Sequence, residues 1–244
     1  MGSDPAALDR IWMLGDVHGE FRYLHRALQD APTPPRWLVF AGDVDIDTQP
    51  FRHYLAPFRQ QWPTLKVAFI HGNHDADTHE HWACLHNCGD ATPLHNRVAN
   101  LDGVRVAGLG GVFQQKAWWP GSEPRFHSKA EALGGGAHRF RDGQRPKPQY
   151  HGAIYPAEVA NLSQQQADVL VMHEAPSCHR HGFAVLDDMA RALGVGKVFH
   201  GHHHDDCTDA YRALWPTMGF ETYALGSCGI RTASGRVVLA PQAF

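Results

Sequence analysis

No run of eighteen or more apolar residues occurs in the 244-residue chain, so it offers no segment long enough to cross a bilayer as a helix. The N-terminus, MGSDPAALDR, also lacks a basic stretch followed by a hydrophobic one; no signal peptide is expected, and a cytoplasmic location is. Cysteine is scarce and odd in number. Cys84, Cys88, Cys178, Cys207 and Cys228 are scattered, which argues against a disulfide framework and fits reduced thiols. Excess positive charge is missing too: 22 Lys and Arg face 25 Asp and Glu, and a net charge of −3 excludes a basic footprint for nucleic acid over the whole chain, though not in a local patch. The 43% of hydrophobic and 19% of charged residues describe an ordinary globular chain with length for one large domain and a sizeable core. The residue in excess is histidine, 19 in all, a ligand for borderline transition metals wherever its positions are ordered.

Five short apolar runs end alike. Residues 11–14 lead into Gly15-Asp16-Val17-His18-Gly19, 37–41 into Gly42-Asp43, and 67–70 into His71-Gly72-Asn73-His74-Asp75. Residues 169–172 lead into His173-Glu174, and 198–199 into His200-Gly201-His202-His203-His204. Such runs predict strands buried on both faces. Between them residues 21–30, 50–61, 77–86, 156–166 and 183–193 predict helices, and the alternation predicts a largely parallel sheet in an α/β fold. One Gly-Asp or Gly-Asn at a strand end is an ordinary turn. Five runs that all end in Asp, His or Asn are better read as a functional edge, where side chains converge beyond the strands.

The ordered set D-x-H, G-D, G-N-H-D, lone His and G-H-x-H, carried here by Asp16/His18, Gly42-Asp43, Gly72-Asn73-His74-Asp75, His173 and Gly201-His202-His203-His204, resembles the signature of the calcineurin-like metallophosphoesterase superfamily. The resemblance spans residues 16–204. It implies a four-layer α/β-β/α sandwich, two mixed sheets flanked by helices, within a single domain over residues 1–244. It also implies two divalent ions. Asp16, His18, Asp43 and His204 would hold one, and Asp43, Asn73, His173 and His202 the other, with Asp43 bridging and a hydroxide between the ions as nucleophile. His74 would protonate the leaving oxygen, with Asp75 fixing its tautomer and orientation. Independently, carboxylate, imidazole and amide donors suit manganese first, with iron or zinc as alternatives, rather than a soft thiolate metal.

The second motif continues Val44-Asp45-Ile46-Asp47-Thr48. Ser/Thr protein phosphatases carry Arg where Asp47 stands and Glu where Asp75 stands, and purple acid phosphatases carry a metal-binding Tyr where Ile46 stands. Neither subfamily fits. The broad, mostly prokaryotic group of phosphodiesterases, nucleotide pyrophosphatases, nucleases and small-molecule phosphatases remains. Asp45 and Asp47 are expected to lead a helix rather than to support the metal histidines. His203 is expected to point away from the ions, and His71 and His200 to be buried, hydrogen-bonded neighbours. His81, Cys84, His86 and Cys88 lack a structural-zinc spacing and predict a helix and loop.

From about 110 to 152 the periodicity stops, an insertion rich in Gly, Pro and basic residues. Over residues 111–150, Lys116, Arg125, Lys129, Arg139, Arg141, Arg145 and Lys147 face only Glu123, Glu131 and Asp142, about +4, with Trp118, Trp119, Phe126, Phe140 and Tyr150 interleaved. Such a segment suits a phosphodiester backbone and its bases; a solvated loop whose rings cap the core explains it equally well. The expected activity is phosphate-ester hydrolysis, leaning to phosphodiesterase or phosphatase action on nucleotides or nucleic acid. The alternatives are a small-molecule phosphomonoesterase or a non-catalytic scaffold of the same fold. Residues 221–239 are expected to be the closing strands of the second sheet.

Overall fold

The structure, a computed structural model, describes residues 4–134 and 146–242. Each apolar run forms the strand expected of it. After the short helix α1 (Pro5–Asp9), the strands β1 (Ile11–Leu14), β2 (Trp37–Ala41) and β3 (Lys66–Ile70) lie parallel in the first sheet, with the short β4 (Thr92–Pro93) parallel beyond β3. In the second, β5 (Arg97–Leu101) pairs antiparallel with β6 (Val104–Leu109), and β6, β7 (Val169–Met172), β8 (Lys197–His200) and β9 (Glu221–Ala224) follow in parallel. The last strands depart from expectation. Only β9 closes the second sheet; β10 (Ile230–Thr232) and β11 (Val237–Leu239) cross back and close the first, β10 running antiparallel to β1.

Alternation along the strands builds three apolar layers. Ile11, Met13, Val39 and Ile70 meet Val106, Val171, Phe199 and Tyr223 between the sheets. Trp12, Leu14, Phe40 and Phe69 face outward, onto α2 (Arg22–Asp30), α3 (Phe51–Gln61) and α4 (His79–His86). The outer face of the second sheet packs against α6 (Pro156–Leu162) and α7 (Ala184–Leu193) through Leu109, Leu170, Val198, Leu162, Leu186 and Leu193. The result is the four-layer sandwich with two mixed sheets that the resemblance implied. Phe51 locks α3 in place by meeting Phe40 and Phe69 edge-on at centroid distances of 5.4 and 5.5 Å, and such pairs add about 0.5–1.5 kcal/mol each beyond area burial. Helix α4 starts later than expected, because Thr78 caps it by accepting the His81 N–H at 3.1 Å, while residues 74–76 form a separate 3₁₀ turn.

Between β6 and β7 the described part of the insertion is folded. Val112 bridges to Ala153, and Phe126, Tyr150 and Tyr155 form a small core of their own with α5 (Lys129–Gly134). Lys129 lies half-buried beside the buried Glu158, its Nζ 3.6 Å from a carboxylate oxygen, and over the Trp82 ring. Arg139, Arg141 and Arg145, the densest positive run of the segment, lie outside the described residues. Among the described residues, no helix is long and apolar enough to cross a membrane.

Candidate metal centre

All the expected site residues lie just beyond the C-terminal ends of β1, β2, β3, β7 and β8. The two sheets bring these ends to one edge, and strand alternation cannot aim the residues there, so the backbone does. Among the described residues eight non-glycine residues have positive φ, and five of them, His18, Asp43, Asp45, His202 and His204, are here. Each such conformation costs on the order of 1 kcal/mol and persists where surrounding contacts hold it. Gly42, at φ +97°, permits a close approach: a Cβ there would lie 2.4 Å from His173 Nδ1.

Two groups of donors result, each with its atoms within 4.8 Å of one another: His18, Asp43 and His204, and Asp43, His173 and His202. Asp43 belongs to both. Asp16 stands beside them, with Oδ1 3.6 Å from His173 Nδ1 and Oδ2 3.7 Å from His204 Nε2. The Asn73 amide oxygen lies 3.1 Å from His173 Nε2, which is also 3.2 Å from Asp43 Oδ2. Every residue expected to hold an ion is thus gathered at one place.

The tautomers suit a cation. His173 donates its Nδ1–H to the Ala41 carbonyl at 2.9 Å, and His18 donates Nδ1–H to Asp45 Oδ2 at 3.0 Å. In both rings this turns Nε2 inward, the arrangement by which outer hydrogen bonds orient metal-binding histidines. The inward nitrogens of His18 and His204 face each other at 3.0 Å. Asp16 Oδ2 is fully buried and finds no hydrogen-bond donor. An oxygen with no donor and nitrogens turned toward one another and toward carboxylates are the groups that a positive ion satisfies.

The charges agree. Burial pushes Asp16 up to about 6 against the pull of His173. Burial also opposes the charged form of Asp43, but the His173 imidazolium outweighs it and holds the carboxyl well below the usual range. Burial would lower His173, yet Asp43, by charge and by hydrogen bond, holds it far above an ordinary histidine. A proton on His173 therefore occupies the place of positive charge between the carboxylates, and a bound cation would release it. His202 is pushed down to about 4 by burial, which keeps the ring neutral with one nitrogen lone pair available.

Two expectations need correction. Asp75 does not orient His74. It is buried and spends both oxygens on backbone, accepting the Asp45 and Gly72 N–H groups at 2.8 Å each, so it shapes the two loops instead. The His74 Nδ1 is 2.8 Å from Asp77 Oδ2, three residues on, because the 3₁₀ turn over 74–76 stacks positions i and i+3. Asp45 does not lead a helix either, since α3 begins only at Phe51. Its carboxylate joins His18 to His81 Nε2, 3.3 Å away, and His81 is held in turn by Thr78 at 2.6 Å. Asp45, Asp77 and His81 were the functional neighbours missed; a carboxylate three residues after a motif histidine was the one signal available. Residues 81–88 fold as helix and loop, as expected. His71 and His200 are buried, but each keeps an Nε2 without a partner.

The model of the calcineurin-like phosphoesterase family matches residues 9–206. The chain belongs to that family. An uncharacterised protein of Haemophilus influenzae is 34% identical over 227 residues, which cover 88% of this chain and 92% of that protein. The crystal structure of TT1561 of Thermus thermophilus shares the fold, with a TM-score of 0.55 over 91% of this chain and 94% of that one at 16% identity. Members of the family are generally metal-dependent hydrolases of phosphoesters, and this member presents Asp and His groups able to hold metal.

A further group, His179, Asp205 and Cys207, lies beside the last motif. It suits an ion less well. His179 Nδ1 accepts the His181 N–H at 3.2 Å, so Nε2 carries the ring proton and donates it toward Asp205 Oδ2 at 3.4 Å. Stacked on His203 at 3.9 Å, His179 instead packs as a ring against that neighbour.

Proposed function

We propose that this family member hydrolyses phosphate esters at a pair of divalent transition metal ions, with manganese the first candidate and iron or zinc next. Asp16, His18, Asp43 and His204 would hold one ion, and Asp43, Asn73, His173 and His202 the other. The observation that carries this reading is the sharing of Asp43 by two donor groups, in each of which one histidine, His18 or His173, already turns Nε2 inward. A shared carboxylate offsets the repulsion of two adjacent cations. When bound, the ions supply positive charge to the phosphate and acidify water for attack on phosphorus.

The chain's own residues do the rest. Asp45 and the Ala41 carbonyl hold the rings of His18 and His173. His74 lies half-exposed at the mouth, its ring centroid 5.4 Å from that of His18. Burial would lower its pKa, but the bond to Asp77 and the charge of Asp43 raise it, so the imidazolium persists nearer neutrality. With Nδ1–H given to Asp77, its Nε2–H is the proton offered to the leaving oxygen.

A diester of nucleotide type is the preferred substrate. One cleft begins at Gly19, the residue after His18, and is lined further by Phe21, Gln49, His53 and Tyr54; another begins at Asp77, the partner of His74, with Thr78, Lys147 and Gln149, which offers a place to each arm of a diester. Lys116 and Lys147 of the insertion add positive charge for a second phosphate or a nucleic-acid strand. The test is hydrolysis of bis-p-nitrophenyl phosphate and p-nitrophenyl phosphate with Mn²⁺ and with chelator. Turnover of both that requires metal, faster on the diester, is expected. A protein with two ions bound that turns over neither is a scaffold.

A further inference from the structure

The cleft on the His18 side has its own chemistry. It begins at Gly19 and Glu20, directly after His18, and reaches Gln49 in the loop that carries Asp43 and Asp45. The Gly19 N–H donates to the Val44 carbonyl at 2.9 Å and ties the two loops into one wall. Helices α2 and α3 both start at this edge, so the cleft opens on the same side as the metal centre, where ligands of α/β sheets bind. Its volume is about 540 Å³, ample for a purine and its ribose.

Its lining is aromatic. The rings of Phe21 and Tyr54 lie stacked at 5.1 Å and 26°, and Phe58 and His25 continue the surface behind them. Phe21 and Tyr54 are only half-buried, although the core beneath them is complete. The Tyr54 hydroxyl is held by Thr48 Oγ1 at 2.9 Å, which fixes the ring plane. Around this apolar floor stand Gln49 and His53, both exposed, whose side chains each can donate and accept. A flat, rigid ring surface bordered by an amide and an imidazole matches a flat heterocycle with a hydrogen-bonding edge. A lipid chain would leave these polar groups unused, and a peptide would find no free strand edge here.

We propose that this cleft is the nucleobase subsite, in which the base of a nucleotide ester extends the Phe21–Tyr54 ring stack while its phosphate lies at the metal centre. The proposal rests on the reading of that centre as a phosphoesterase site, but the base can be tested apart from it. Adenosine has no phosphate and needs no ion. Titrated into metal-free protein and followed by NMR, it should give saturable shifts, with transferred contacts from the adenine protons to the Phe21 and Tyr54 rings.

Phe21→Leu and Tyr54→Leu, which keep the apolar floor but remove the ring faces, should each weaken adenosine about tenfold, within the range for loss of one stacking partner. Should either variant melt early, Gln49→Ala in the exposed loop provides the second reading, a smaller loss without a change in melting. Absence of saturable binding to the parent chain, or equal binding by parent and leucine variants, would overturn the subsite. So would p-nitrophenol binding as tightly as adenosine, since that marks a site for any aryl group. Failure of metal-dependent ester hydrolysis with adenosine binding intact would strike the metal centre and leave the subsite standing.

Discussion

At the scale of single residues the informative pair is His74 with Asp77. The ring is aimed by a bond across one 3₁₀ turn, while the neighbouring Asp75 is committed to backbone N–H groups of two loops. His74 holds no ion in the proposed assignment, so His74→Ala should lower turnover by about 10²- to 10⁴-fold and leave two ions per chain. Elemental analysis alongside steady-state rates checks this, and a parallel loss of metal would make His74 a ligand. Asp45 makes the opposite prediction. It orients His18 from outside, so Asp45→Asn should weaken metal affinity about 10–100-fold, as loss of such outer partners does. Competition against a chelator measures it, and unchanged affinity would return Asp45 to an ordinary surface carboxylate. The proposed ligands were legible in the sequence because each one follows an apolar run. Their supporting partners were not, since Asp45 and Asp77 look like any polar residues in a loop.

At the scale of elements the insertion between β6 and β7 is fastened to the body through one buried charge group. His95 Nδ1 accepts the Gly110 N–H at 3.0 Å, so its Nε2–H donates to Glu158 at 2.9 Å, and Lys129 from α5 completes the group. Removing the carboxylate alone would leave His95 and the half-buried Lys129 without their common partner. Glu158→Ala should therefore cost about 3–5 kcal/mol, whereas Glu158→Gln combined with Lys129→Met should recover most of it. Denaturant titration of both variants decides, and additive losses would mean the charges are not coupled. The periodic helices and strands were readable in advance, because burial on one or both faces imposes a period. The insertion showed none, since its order comes from a small aromatic core and this long-range pairing.

Over the whole molecule the many buried histidines make stability depend on acid. Burial pushes His151 down to about 4 from an ordinary 6.5. Below pH 6.5 the unfolded chain takes up a proton that the folded chain refuses until about pH 4, so the stability His151 contributes is complete above 6.5 and lost as pH falls through that window. His200 acts in the same sense, also pushed to about 4, while Asp16 and Asp75, raised to about 6, oppose it because acid relieves their buried charge. His151→Phe keeps a ring on Trp82, which His151 stacks at 4.6 Å, and should flatten the fall in Tm of the metal-free protein between pH 6.5 and 4. Scanning calorimetry reads the slope, and an unaltered one would refute the assignment.

What the sequence determined by itself was the set of strands, the layered class and the residues that gather at the strand ends. A run of four or five apolar residues has few ways to be buried, and each run delivers the residue after it to a known edge. Tertiary structure alone decided which groups then meet. His18 and His204 face each other across 186 positions of chain, Asp45 finds His18 rather than a helix, and β10 and β11 close the first sheet instead of the second. These pairings depend on how loops from separate strands pack, and on backbone conformations at positive φ that no local pattern encodes.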